Sequence, residues 1–345
     1  MILYDFDYEP ARSLPEALAL LARLGPGARI MGGGTDLLPN MRLDLTRPTT
    51  IVGLRGIKPE PPRVTPEGGL RIDGLMTLAD IARSELIASK LPMLAESARV
   101  VGSHQVREMG TLAGNLCQET RCLQLNQKHD FQFKAPCYKR GGECCYPFPS
   151  NRPGTCWSVY MSDVAPALMA LEAEVETERA AGGRRLAVET MFTGDGMRPI
   201  RLDAGEIIRA VITPPVPSHF GWAYHKLSRR GGFEYGAAVI AVALSLESGR
   251  LACADARIVI GAIRERPVRA REAERALIGQ PFDDTLVAAA VAATVDEAKP
   301  LPHHGFTRSY LIDTLRVHLR RAFVRAVERA RAQSPGDEEA GHVGR

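Results

Sequence analysis

No apolar run in this chain is long. The longest, Ala237 to Leu244, falls far short of the roughly 20 residues a membrane-crossing helix needs. The pattern Gly-x-Gly-x-x-Gly is absent, which removes the fingerprint of the doubly wound parallel dinucleotide fold. No two cysteines stand in Cys-x-x-Cys spacing, which argues against a zinc finger, whose ligands come in close pairs. Charge of one sign is also lacking: 44 Lys and Arg against 40 Asp and Glu give a net charge of +4. Composition therefore makes no case for a nucleic-acid partner. Aromatic residues are few, at 6%, with only two tryptophans. The opening residues carry Asp5, Asp7 and Glu9 and no apolar stretch, so a secretory signal is not expected and the cytoplasm is. In that compartment clustered cysteines are more often ligands or reactive thiols than disulfides.

What is present is a soluble globular composition, 45% hydrophobic and 24% charged over 345 residues, enough for two domains with cores of their own. Ser13-Leu14-Pro15-Glu16 is a capping box opening a helix that Gly25 ends. A strand, Ala28 to Met31, runs into Gly32-Gly33-Gly34-Thr35-Asp36-Leu37. Strands follow at Thr49 to Leu54 and Leu70 to Asp73, and helices start at Thr77 and Leu91. Met169 to Val175 alternates like a strand. From Glu206 the texture changes, and Ile207 to Thr213, Trp222 to Leu227, Ala237 to Leu246 and Ala256 to Gly261 suggest one antiparallel sheet. Helices then cover Arg269 to Ile278, Asp284 to Glu297 and Thr307 to about Ala330. The division is expected near Pro199 to Gly205, and the polar tail from Ser334 reads as disordered.

Between Cys117 and Trp157 lie six of the seven cysteines, with few aliphatic residues around them. Such a segment buries too little apolar surface to order itself, and a bound metal or cluster would supply the missing energy. Arg121, Lys128, Lys134, Lys139, Arg140 and Arg152 outnumber Glu119, Asp130 and Glu143, an excess that would offset thiolate charge. Four thiolates suit an iron–sulfur cluster or tetrahedral zinc, and the spacing does not choose between them. A disulfide framework is the third option, disfavoured by the compartment, and structural or redox thiols are the remainder.

The second constellation is Gly110-Thr111-Leu112-Ala113-Gly114-Asn115, which supplies main-chain N–H groups, a hydroxyl and an amide beside residues of little bulk. With Gly32 to Thr35 it makes two small-residue loops, as a ligand with two phosphates requires. Taken singly, Thr35, Asp36, Thr111 and Asn115 would be helix caps or turn residues.

The run Gly102-x-x-Gln105-Val106-Arg107-x-x-Gly110-Thr111-Leu112-x-Gly114-Asn115-Leu116 resembles the signature of FAD-binding subunits of the molybdenum hydroxylase (xanthine dehydrogenase) family. Gly32 to Leu37 resembles that family's first flavin loop, and Ser162-Asp163 with Pro166-Ala167-Leu168 its third. Lys226 with Arg229 resembles the start of its C-terminal domain. The departures are Ala113 where the family has glycine, a slightly longer gap from Cys145 to Cys156, and Gly231-Gly232-Phe233-Glu234-Tyr235 after Lys226, which is only loosely family-like. The resemblance implies an α+β fold: a two-part FAD-binding domain over 1–200 (parts 1–55 and 56–200), then an antiparallel-sheet and helix domain over 201–333. It assigns FAD to Met31, Gly32, Gly33, Gly34, Thr35, Asp36, Leu37, Gly102, Gln105, Gly110, Thr111, Gly114, Asn115, Asp163 and Lys226. The cysteine insertion, 117–157, is similar to that of the β subunits of 4-hydroxybenzoyl-CoA reductases. That likeness implies a 4Fe–4S cluster on Cys122, Cys137, Cys145 and Cys156, with Cys144 as a competitor for Cys145 and Cys117 outside the set. It further implies a molybdenum-cofactor large subunit, a 2Fe–2S small subunit, a ferredoxin-like donor and a dimer of heterotrimers. Substrate chemistry, reductive loss of a ring hydroxyl, would take place on the partner chain.

Overall fold

The computed structural model describes residues 3–127, 135–149, 154–247 and 252–332. Lys128, Asp130, Lys134 and Arg152 of the cysteine segment, and the tail expected from Ser334, lie outside the described residues.

Three sheets organise the chain. The first is parallel, with β1 (Asp7–Pro10), β2 (Ala28–Met31) and β3 (Thr50–Gly53) in the order β1-β3-β2. Helix α1 (Leu14–Leu24) covers it. Ser13 Oγ accepts from the Glu16 N–H at 3.3 Å and Glu16 accepts from the Arg12 N–H at 2.8 Å, so the capping box closes in both directions. Helix α2 (Leu37–Arg42) follows the first glycine loop.

The second sheet is antiparallel, in the order β4-β5-β8-β6-β7. Its strands are β4 (Arg63–Val64), β5 (Leu70–Asp73), β6 (Glu174–Glu178), β7 (Arg184–Ala187) and β8 (Ile207–Thr213). Here the sequence reading is corrected. Residues Ile207 to Thr213 do not join the later strands; Val211 pairs with Ile72 on one side and Val175 on the other. Between β5 and β6 run α3 (Leu78–Arg83), α4 (Glu85–Lys90), α5 (Pro92–Arg99), α6 (His104–Met109), α7 (Leu112–Leu116) and α8 (Val164–Ala170). Met169 and Ala170, read as the start of a strand, end α8 instead. Every residue of that helix is buried, and a helix apolar on all sides carries no 3.6-residue signal.

The third sheet is antiparallel, in the order β12-β11-β10-β9, from β9 (Phe220–Leu227), β10 (Ala238–Leu246), β11 (Cys253–Gly261) and β12 (Val268–Arg269). Helices α9 (Arg271–Leu277), α10 (Asp284–Ala298) and α11 (Arg308–Ala332) cover one face. Along β10, Val239, Ala241 and Ala243 enter a core shared with α5 and α8, while Ala238, Ile240, Val242 and Leu244 enter the core under α9 to α11. The long apolar run is thus a strand buried on both faces, and the third sheet is the wall between two cores.

Candidate functional site

Two loops of small residues meet at the mouth of the first two sheets. Gly34 has φ +72°, a left-handed conformation glycine takes without cost, and it turns the chain into α2. Gly33 is held by its neighbour rather than by a ligand. A Cβ there would stand 1.7 Å from the Met109 carbonyl oxygen, so the two loops pack backbone to backbone. Gly32 lies against Thr111 in the same way, with the Thr111 hydroxyl 3.0 Å from where its Cβ would be. Thr111 itself is the N-cap of α7, accepting the Gly114 N–H at 3.0 Å. Its capping role and its place in the cavity coexist.

Above these loops opens a cavity of about 330 Å³, within the range of small-molecule and cofactor sites. Nine of the residues expected to hold flavin line it: Thr35, Asp36, Gly102, Gly110, Thr111, Gly114, Asn115, Asp163 and Lys226. Met31 at the end of β2, Gly32, Gly33, Gly34 and Leu37 at the start of α2 do not line it. Gln105 is exposed on α6, and its neighbour Val106 faces the cavity in its place.

A buried ion pair joins the two halves of the chain across this cavity. Lys226 of β9 donates to Asp163 Oδ2 at 2.8 Å and to the Val100 carbonyl at 3.1 Å. Both side chains are almost wholly buried, and burial pushes the Asp163 carboxyl up to about 6 against the pull of the lysine. Asp163 Oδ1 is buried with no hydrogen-bond partner. An orphan carboxylate oxygen beside a cavity suits a ligand that brings a hydroxyl or N–H. Asn115 Oδ1 accepts from the Ser162 hydroxyl at 2.6 Å, which fixes the loop that carries Asp163.

Sequence reasoning missed Arg121 and Tyr235. Arg121, read as a loop charge, is buried and pairs with Asp36; it also donates to Asn40 Oδ1 at 3.2 Å. Its guanidinium lies 5.5 Å from the centre of the Tyr235 ring, and both line the cavity. Pairing across so many residues leaves no local spacing to read. Lys139 and Arg140 are likewise engaged. Lys139 pairs with Glu119 and donates to the Gly196 carbonyl, and Arg140 donates to the carbonyls of Leu125 and Leu43 at 2.9 and 2.7 Å. These cations tie the cysteine segment to the body of the protein. Lys139 also lowers the thiol of Cys156, against the larger effect of burial.

The cysteines resolve into one set and three outsiders. Cys122, Cys137, Cys145 and Cys156 line a single narrow pocket, with about 20 Å³ of free space. Cys144 does not line it, Cys117 is exposed, and Cys253 is buried in the third sheet. Main-chain N–H groups are aimed at three of the four sulfurs. Those of Gln124 and Leu125 favour the thiolate of Cys122 and those of Phe148 and Trp157 that of Cys145, while the Ser158 hydroxyl, 3.1 Å from Cys156 Sγ, and then the Ser158 N–H favour that of Cys156. Burial raises all three of these thiols, and the N–H donors oppose it. Such donors stabilise sulfur that carries negative charge. Among the described residues no three Cys, His, Asp or Glu side chains stand close enough to hold a single metal ion. Four thiolates around one zinc would sit about 3.8 Å apart, given a zinc–sulfur bond of about 2.3 Å. Four cysteine thiolates are also the donor set of a four-iron cluster, which is larger and keeps them further apart. The pocket as it stands, with about 20 Å³ free, is too narrow to enclose one.

A cavity walled by two small-residue loops and closed by an acid–lysine pair from the two halves defines a protein that holds an extended polar ligand between them. Comparison with known proteins names that class. Residues 4–216 match the family described as the FAD binding domain in molybdopterin dehydrogenase, and 222–326 match the CO dehydrogenase flavoprotein C-terminal domain. The chain is 29% identical to the carbon monoxide dehydrogenase medium chain of Afipia carboxidovorans, over 96% of this chain and 100% of that one. It is 31% identical to the aldehyde oxidoreductase FAD-binding subunit PaoB of Escherichia coli, over 83% and 90%. A chain of the reconstituted CO dehydrogenase from Oligotropha carboxidovorans superposes with a TM-score of 0.78 at 27% identity, over 95% of this chain and all of that one. The chain belongs to the FAD-binding subunits of the molybdenum hydroxylase family. Among the described residues no helix is long and apolar enough to cross a membrane.

Proposed function

We propose that this chain is the electron-transfer subunit of a molybdenum oxidoreductase of the 4-hydroxybenzoyl-CoA reductase type, carrying a 4Fe–4S cluster in addition to FAD. The observation that carries the reading is the ring of Cys122, Cys137, Cys145 and Cys156 around one pocket, with main-chain N–H groups aimed at three of the sulfurs. FAD supplies the exchange between two-electron and one-electron chemistry. The chain's own residues hold and orient it. Thr35, at the end of the first glycine loop, and the loop Gly110 to Asn115 receive the pyrophosphate, and the free oxygen of Asp163 accepts from a hydroxyl or N–H of the cofactor. Lys226 keeps Asp163 in place.

The proposed assembly joins this subunit to a molybdenum-cofactor large chain and a 2Fe–2S small chain, in a cytoplasmic dimer of heterotrimers fed by a ferredoxin-like donor. The substrate site lies on the large chain. A second reading runs electrons outward from a hydroxylase. It is favoured by the names of further relatives, a nicotine 6-hydroxylase medium subunit and a caffeine dehydrogenase subunit beta among them. Dehydroxylation driven by a reduced donor, set against hydroxylation driven by an oxidised acceptor, separates the two in the whole complex. The cluster is tested by metal and sulfide analysis of anaerobically purified protein. About four iron with matching sulfide per chain is expected. One zinc, or neither metal, overturns the cluster and leaves the flavin assignment standing.

A further inference from the structure

A cavity of about 360 Å³ opens on the seam between the second and third sheets, and none of its lining residues lines the flavin cavity or the cysteine pocket. Leu70 and Thr213 reach it from the second sheet, Lys90 from the end of α4, and Phe220 and Trp222 from β9. Its remaining wall includes residues 214–218, the link that carries the chain from β8 to β9. Pro214, Pro215 and Pro217 stiffen that link before anything settles on it.

The cavity lacks negative charge. Among the described residues Lys90, exposed at the edge, is its one charged lining residue. A cation finds no counter-charge here, while a carboxylate finds an ammonium and hydroxyl donors. Trp222 supplies an aromatic wall, and its ring lies under the Arg329 guanidinium, 3.6 Å from the ring centre. Burial and then Arg325 work against the charge on Arg329, and Glu96 favours it. A further carboxylate at this point would ease that repulsion.

The end of α11 arrives at the same place. Arg329 donates to the Trp222 carbonyl at 2.8 Å. A Cβ at Gly221 would stand 1.8 Å from the Ala326 carbonyl oxygen and 2.8 Å from the Ala330 Cβ. The last turns of the helix therefore press on the start of β9, where Phe220 and Trp222 line the cavity, and α11 ends at Ala332. Beyond it the sequence reads Gln333-Ser334-Pro335-Gly336-Asp337-Glu338-Glu339. Proline does not continue a helix, and Pro-Gly is a turn pair. Three acids in succession follow. The five residues from Ala332 to Asp337 span about 17 Å when extended, enough to cross a cavity of this size.

We propose that the chain's own C-terminal segment, residues 333–345, docks in this cavity with Asp337, Glu338 and Glu339 toward Lys90, and so straps α11 to the link between β8 and β9. Anchored at Ala332, the segment acts at an effective concentration on the order of 1 mM, so modest contacts suffice to hold it. The proposal rests on neither the flavin nor the cluster.

Trp222 is the reporter, isolated by Trp157→Phe. The probe is a synthetic peptide of residues 333–345, titrated into the full chain and into a chain ending at Ala332, which keeps every described element. The shortened chain should bind it saturably with a Kd below about 1 mM, and the full chain should not respond, because its own segment fills the cavity. Lys90→Glu, at an exposed position, should weaken peptide binding to the shortened chain about tenfold by exchanging attraction for repulsion. A peptide carrying Asp337→Lys, Glu338→Lys and Glu339→Lys should bind the unaltered cavity as weakly, and regain its affinity on Lys90→Glu. A shortened chain that does not bind the peptide, or binds it equally well after Lys90→Glu, overturns the proposal. So does a full chain that binds it as tightly as the shortened one, which would leave the cavity to an acidic segment of another protein. Sedimentation of the full chain separates the last case. A concentration-dependent dimer that the shortened chain does not form would seat the segment in a second copy, and overturns docking within one chain.

Discussion

At the scale of the residue, Asp163 carries the most testable chemistry. Its carboxyl is raised to about 6 by burial, above the ordinary carboxylate range. Between about pH 4 and 6 the folded chain therefore holds a proton that the unfolded chain has lost. The contribution to stability is fullest below pH 4 and falls away as pH rises toward 6. Flavin binding should move the opposite way. Because Oδ2 accepts from Lys226, a proton taken up by the carboxyl falls on the lone Oδ1 and makes it a donor, so FAD affinity should rise from pH 5 to pH 7 and level off above. Asp163→Asn should lower the affinity at pH 7.5 and flatten that profile, as read by flavin fluorescence titration. An unchanged profile in the variant would assign the pH dependence elsewhere. Gly33 makes a different demand. Because its missing Cβ leaves room for the Met109 carbonyl, Gly33→Ala forces two backbones apart, at a cost of about 1–3 kcal/mol. Urea unfolding with and without FAD measures it, and a variant as stable as the parent would mean that the loops yield easily.

At the scale of the element, the legible parts are those that write their signal locally. The capping box at Ser13, the glycine stop at Gly25 and the buried strand from Ala238 all stand where their patterns place them. Cys122, Cys137, Cys145 and Cys156 line one pocket, and their ligation of a cluster belongs to the proposal. What escaped has a common cause. The alternation in Ile207–Thr213 says that a strand exists but not which edge it joins, and only the register with Ile72 and Val175 decides that. Arg121 finds Asp36 through the fold, not through spacing. The glycines read as room for a ligand are, at Gly33, room for another loop. Thr111 shows how one side chain serves two ends, capping α7 and lining the cavity. Thr111→Val should therefore cost about 1 kcal/mol of stability through the lost cap and weaken FAD binding as well. Thr111→Ser should restore both. If Ser recovered stability without recovering FAD affinity, the methyl group rather than the hydroxyl would be what the cavity uses.

At the scale of the whole molecule, the third sheet decides how the parts depend on each other. Lys226 sits opposite Val239 in the register, on the face that packs against α5 and α8, and so reaches Asp163 at the end of the flavin cavity. The other face of the same strands is buried under α11, where Phe323 is fully enclosed. One sheet thus forms the back wall of the flavin site and the front wall of a core that never touches it. Phe323→Ala should cost about 3–5 kcal/mol by leaving a cavity in that remote core. Because the sheet is shared, the loss should not stay there: flavin release and loss of helix should shift down together on heating, as one transition. Circular dichroism and flavin fluorescence recorded on the same ramp test this, with added FAD expected to raise both midpoints equally. Flavin lost well before the helices, or held well after them, would show two bodies that fold apart, and Lys226 would then be a contact between domains rather than a strut of one structure.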